Sequence, residues 1–178
     1  MRYYLCLLAA CVAAVNFSCT SASKLSSDKL EQEQKIRHFV ESKSFVFNAT
    51  NANPMRTNIL NILPNGSQLR NLTPGYTLTV MDDSISAYLP YYGRAYTAPN
   101  PTSTDNGIKV NTKKFSYTYK QNKKGIYIVT INPENDRVTS SFILNIGLNG
   151  YATLQVQSVN RDAISFYGDI QLLKGDIQ

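Results

Sequence analysis

The chain contains one histidine, three cysteines and no tryptophan. Each scarcity removes a class of chemistry. A Ser-His-Asp or Cys-His centre would have to be built on His38, which sits between Arg37 and Phe39 in a charged stretch. That setting is the exposed face of a helix rather than a catalytic cleft. A histidine-rich metal site is excluded outright. Cys6, Cys11 and Cys19 all lie near the N-terminus. Beyond Cys19 the chain therefore forms no disulfide and no cysteine-ligated metal centre. No phosphate-binding Gly-rich loop, EF-hand loop or dinucleotide fingerprint is present. No cofactor and no metal are expected. Acids are few, 12 in all. Asp28, Glu31, Glu33 and Glu41 fall on a helical stretch, and Asp82, Asp83, Asp105, Glu134, Asp136 and Asp162 fall at turn signals. A pair of carboxylates acting as a cryptic hydrolase is the weakest of three functional readings. The leading expectation is a protein without catalytic residues.

What is present begins with an address. Arg2 precedes an apolar run from Leu5 to Val15, and Asn16-Phe17-Ser18-Cys19 follows. A basic start, a short apolar core and a small residue before a cut form a secretory signal, here residues 1–18. The run is too short to span a bilayer, and no later run is longer. Cleavage before Cys19 would expose it for lipidation and give the protein a bacterial membrane as partner through that anchor. An ordinary cut near Ala22, or lipidation at Cys11 after Leu8-Ala9-Ala10, are the alternatives. The expected location is the cell envelope, on the periplasmic face of a membrane or at the cell surface.

With 178 residues, 43 % of them hydrophobic, the rest is sized for one domain with its own core. Losing Arg2 lowers the net charge from +6 to about +5. The excess is concentrated in Lys109, Lys113, Lys114, Lys120, Lys123 and Lys124. An exported chain does not meet nucleic acid, so none is expected as a partner. These lysines read as solvated strand edges that discourage pairing with other sheets. Lipid headgroups or acidic glycans are the anions within reach.

Residues 19–27 are Ser-rich and read as a tether, leaving residues 28–178 as a single mainly-β domain. Asp28 and Glu31 have capping-box spacing. Glu31–Lys35 and Glu33–Arg37 are spaced four apart, and Leu30, Ile36, Phe39 and Val40 form an apolar stripe. The pattern predicts a helix over 28–42. From Phe45 the hydrophobic period becomes two. Strands are predicted at 44–49, 57–63, 76–80, 85–89, 108–119, 126–132, 137–147, 151–159 and 163–171. Lys123-Lys124-Gly125, Asn149-Gly150 and Asn160-Arg161-Asp162 punctuate the later ones, and Asn149-Gly150 is the strongest hairpin signal. Ile126 to Ile131 is apolar on both faces and so predicts a central strand. Short connections between successive strands favour an antiparallel meander. The expected fold is an N-terminal helix followed by a meander that closes into a barrel-like (calycin-like) body or splits into a sandwich.

The densest chemical feature runs from Tyr88 to Tyr96, with Tyr88, Tyr91, Tyr92, Tyr96 and Arg94 where a strand opens into a long loop. Tyrosine offers an apolar face and a polar tip at small entropic cost, which suits a contact surface. Arg94 would fork a carboxylate or phosphate. Tyr117 extends the aromatics along a strand. Tyr91, Tyr92, Arg94, Tyr96 and Tyr117 are thus the candidate ligand-binding residues. The competing reading is a corner in which these tyrosines plug the end of the sheet.

Six stretches together resemble a known family. They are Asn53-Pro54, Leu89-Pro90-Tyr91-Tyr92-Gly93-Arg94-Ala95-Tyr96-Thr97-Ala98-Pro99, Gly107-Ile108-Lys109-Val110, Lys123-Lys124-Gly125, Asn149-Gly150-Tyr151-Ala152, and Asn160-Arg161-Asp162-Ala163-Ile164-Ser165-Phe166-Tyr167-Gly168. They span roughly residues 35–170 and resemble domain of unknown function 4251, an exported family typical of the Bacteroides group. The resemblance implies a mainly β protein, often lipid-anchored, and carries no reaction and no site residues. The functional expectation is non-catalytic binding of an envelope lipid, glycan or peptide. A structural or protein-interaction module of the envelope is the alternative.

Overall fold

The structure, a computed structural model, describes residues 21–54, 70–96, 107–134, 136 and 138–173. Helix α1 spans Ser21–Ser42. It starts seven residues ahead of Asp28 and takes in most of the stretch expected to be a tether. Ala22, Lys24 and Leu25 are good helix formers, and they outweigh the intervening serines. Of the two expected ion pairs, Glu31–Lys35 forms at 2.7 Å, whereas Arg37 turns forward to Glu41 at 2.9 Å. Both pairs are exposed and add little to stability. The helix ends on Lys43 in the left-handed conformation, φ 52°. The Ser44 amide reaches back to the Phe39 carbonyl at 3.3 Å, the bond that closes a Schellman motif.

Among the described residues nine strands follow: β1 Phe45–Pro54, β2 Thr77–Val80, β3 Ile85–Leu89, β4 Ile108–Thr112, β5 Phe115–Gln121, β6 Tyr127–Pro133, β7 Thr139–Ile146, β8 Tyr151–Ser158 and β9 Ile164–Gln171. The expected strand at 57–63 lies outside the described residues. The order across the sheet is β4-β3-β2-β1-β9-β8-β7-β6-β5, with every pairing antiparallel. The two outermost strands, β4 and β5, are consecutive in sequence and run in the same sense. Only Lys113 and Lys114 separate them. Residues 108–121 therefore behave as one bent strand. Its first half pairs with β3 and its second half with β6, which brings the sheet round into a nearly closed barrel. At the bend, the Lys113 ammonium meets Asp83 at 3.1 Å, and the Glu134 amide donates to the Lys114 carbonyl at 2.8 Å. Of the two bodies expected, the barrel is the one that forms. The β6 strand is paired on both sides, but it lies next to β5 rather than mid-sheet, and its Ile128 and Thr130 face is half-buried rather than buried.

Alternation explains what fills the barrel. Phe45 and Phe47 of β1, Phe142 of β7 and Phe166 of β9 are fully buried, with Leu78, Ile85, Leu89, Ile131, Leu144, Ile146 and Leu154. They join Ile36 and Val40 of α1 in one hydrophobic cluster. The period slips in β1, and again at Ser140 in β7. Phe45, Phe47 and Ala49 point inward, and then Ala52 and Pro54 do, because Thr50 is an extra residue in the β1–β9 ladder. This β-bulge restores the phase that would otherwise turn Asn51 and Asn53 into the core. Gly168 faces the same crossing. A β-carbon there would stand 1.9 Å from the Asn48 carbonyl oxygen, so only glycine fits.

Candidate functional site

The tyrosine-rich segment leaves β3 and folds onto the turn between β8 and β9. The Tyr91 hydroxyl donates to the carbonyls of Arg94 at 2.9 Å and Asp162 at 3.0 Å. The Asp162 amide donates to the Arg94 carbonyl at 3.0 Å, and the Tyr96 amide donates to Asn160 at 2.8 Å. The Tyr96 hydroxyl reaches the Asp162 carboxylate. The Arg161 guanidinium lies 5.0 Å above the Tyr91 ring. Burial, with the nearby Asp162 charge, pushes the Tyr91 phenol up to about 12. These bonds make the segment a brace between the long loop and the β8–β9 turn. Tyr92 is half-buried against the core, its phenol also raised by burial, while the Arg94 side chain is exposed. It is the Arg94 carbonyl, rather than its guanidinium, that carries the brace.

Tyr117 does not join this group. It lies under α1, where its hydroxyl donates to the Val40 carbonyl at 2.9 Å and Lys43 stands 5.9 Å from its ring. Burial holds its phenol far above the ordinary tyrosine range. Lys43 also pairs with Asp82 at 3.1 Å, linking the helix end to the β2–β3 turn. His38 is exposed on α1, as its sequence setting indicates. It borders a groove of about 710 Å³ between the helix and Leu172. Among the described residues, no cluster of His, Cys, Asp and Glu is suited to hold a metal ion, and no helix is long and apolar enough to cross a membrane.

A second candidate site lies on the outer face of the sheet. Tyr151 pairs with Asp169, and Thr153 pairs with Tyr167. Ala152 and Gly168, between them, face inward and are buried, so all four neighbours point outward. Tyr151 and Tyr167 are therefore diagonal neighbours on adjacent strands, within reach of one bound group. They are 69 % and 51 % exposed, somewhat more than Tyr88 and Tyr119 elsewhere on the sheet. Together with Thr50 on the bulge, Asn145 on β7, Thr153 and Asp169, they line a pocket of about 330 Å³. The Thr50 hydroxyl donates to the Tyr167 carbonyl at 3.2 Å and ties the bulge to the pocket wall. The Gln171 amide donates to the Asp169 carboxylate at 2.8 Å. The pocket has an apolar body and a few placed polar groups, the composition of a ligand site.

The sequence reading missed this pocket. Tyr151 and Tyr167 are 16 positions apart, and neither lies in a tyrosine-rich stretch. Only the β8–β9 register brings them together. The alternation that turns Ala152, Leu154 and Val156 inward turns Tyr151 outward with Thr153 and Gln155, and that is the signal the sequence carries.

A helix leading into a nearly closed antiparallel meander, with its interior filled by side chains, defines a small β-barrel protein. The model of the family described as Domain of unknown function (DUF4251) matches residues 27–170, and the chain belongs to that family. A crystal structure of a DUF4251 family protein from Bacteroides eggerthii DSM 20697 is similar in fold. The TM-score is 0.53 and the identity 12 %, over 80 % of this chain and 88 % of that one. No curated protein matches this chain.

Proposed function

We propose that this protein is an exported, lipid-anchored envelope protein that binds its ligand without catalysis on the outer face of the barrel, between Tyr151 and Tyr167. The observation that carries the reading is the pair of exposed tyrosines over a 330 Å³ pocket, set against an interior already occupied by Phe45, Phe47, Phe142 and Phe166. A ligand inside the barrel would have to displace that core, at about 1.5–3 kcal/mol for each large apolar side chain expelled. Outside, the rings are already open to solvent. Anchoring through Cys19, with the basic start and apolar run ahead of it, would hold this face within reach of envelope components.

The test is native mass spectrometry of the full chain extracted from its bacterial host. The reading predicts a reproducible retained mass in the wild type that disappears in Tyr167→Ala. Retention of the same mass in both proteins would place the ligand elsewhere. A second reading, a protein-interaction module, draws on the groove between α1 and Leu172, where Phe39 supplies apolar surface. Site-specific cross-linking from Gln34 in intact cells would support it by yielding one discrete adduct.

A further inference from the structure

We infer that the Tyr151–Tyr167 pocket is a subsite for an uncharged saccharide ring. This rests on the outer-face reading above and narrows it to one ligand chemistry. The pyranose ring has two C–H faces and a rim of hydroxyls. Its C–H bonds carry slight positive charge and suit the negative face of an aromatic ring. Tyr151 and Tyr167 supply two such faces on adjacent strands, set diagonally across the Thr153–Asp169 floor. The rim then meets Thr50, Asn145, Thr153 and Asp169, which between them offer hydroxyl, amide and carboxylate groups. A carboxylate accepting hydrogen bonds from sugar hydroxyls gives directional recognition that a lipid tail would not use.

Charge decides against the neighbouring alternatives. Among the described residues that line the pocket there is no Lys or Arg, and Asp169 is the one acid. A phosphate or carboxylate ligand would be repelled. An ammonium ligand would gain from the rings and Asp169. It would make no use of the Asn145 amide or the Thr153 hydroxyl, in a chain whose net charge is already +6. The pocket volume of about 330 Å³ sits at the lower end of small-molecule sites, sized for one or two rings of a longer glycan.

The experiment is saturation-transfer NMR on the full chain in detergent micelles. The probes are neutral trisaccharides of glucose, mannose, galactose and N-acetylglucosamine, the neutral fraction of the host's own envelope polysaccharide, and choline as the cationic control. The expected result is transfer to ring C–H protons of a neutral sugar, with Kd of about 0.1–1 mM. Affinity falls at least about tenfold in Tyr151→Ala and in Tyr167→Ala and is unchanged in Tyr92→Ala. Both altered tyrosines are surface residues, so melting temperatures stay close to wild type and a loss of binding is not a loss of fold. Transfer to choline alone overturns the saccharide assignment in favour of a cation. Silence from every sugar, with the Tyr167-dependent mass still retained from the host, overturns the saccharide inference and leaves outer-face binding standing. Silence in both assays overturns both.

Discussion

Replacing Tyr91 with phenylalanine tests whether the Tyr-rich segment is a brace. The ring stays, so packing changes little. What is lost is one hydroxyl that donates to two carbonyls, Arg94 at 2.9 Å and Asp162 at 3.0 Å. The Arg94 carbonyl keeps the Asp162 amide as donor, so its loss is partial. The Asp162 carbonyl loses the phenol. One net hydrogen bond is worth about 1 kcal/mol, and a part-buried carbonyl deprived of its donor adds up to about 1 more. Tyr91→Phe should therefore destabilise the protein by about 1–2 kcal/mol. For a domain of this size that is a fall in Tm of about 2–8 °C.

The same residue predicts an alkaline signature. Burial favours the neutral phenol and raises Tyr91 to about 12. In the unfolded chain it would ionise near 10. The folded state thus holds a proton that the unfolded state releases. Its contribution is complete below about pH 10 and is lost as pH rises toward 12. Allowing for partial exposure, the alkaline fall due to Tyr91 is about 1 kcal/mol. The assay is reversible thermal and urea unfolding of the full chain at pH 7 and from pH 9 to 12. Tyr91→Phe should start less stable and show a shallower alkaline limb. A variant that melts within about 1 °C of wild type, with an unchanged limb, would refute the brace. A cycle with Tyr96→Phe adds a check, since both hydroxyls hold Asp162 and their effects should couple.

Other outcomes follow from the same structure. Gly168→Ala should cost about 3 kcal/mol or more, because its β-carbon meets the Asn48 carbonyl at 1.9 Å and backbone cannot rotate aside; urea unfolding would measure it. Tyr117→Phe should cost about 1 kcal/mol by removing the bond to the Val40 carbonyl, and hydrogen exchange should quicken first in the last turn of α1. Cys19→Ser should move the protein from the membrane to the soluble fraction of fractionated cells if Cys19 carries the anchor.

Much of the fold was legible because period-two alternation is a direct record of a sheet with one wet and one dry face. The single segment 108–119 was already readable as one strand, and the bend at Lys113–Lys114 turns that strand into the barrel's closure. The later hairpins were signalled by Lys123-Lys124-Gly125 and Asn149-Gly150. Their turns are a residue longer than a two-residue loop. In each, glycine adopts the left-handed conformation, Gly125 at φ 81° and Gly150 at φ 82°. The bulge at Thr50 was not legible. Asn-Ala-Thr-Asn-Ala-Asn has little strand propensity, and its strand character comes from pairing with β9. The same lesson holds for function. Tyr91, Tyr92 and Tyr96 are dense in sequence, yet the hydroxyls of Tyr91 and Tyr96 are spent on one turn. Tyr151 and Tyr167 are scattered in sequence and converge only through register.

The most direct test of outer-face binding is a ligand map on tyrosine ring signals. The full chain, with ring-¹³C tyrosine, is titrated with the neutral polysaccharide fraction of its host. The account predicts that the Tyr151 and Tyr167 signals move together and saturate, while Tyr91 and Tyr117, held by backbone carbonyls, stay in place. Movement of Tyr92 and Tyr96 with Tyr151 and Tyr167 unmoved would contradict it and return the site to the Arg94 loop.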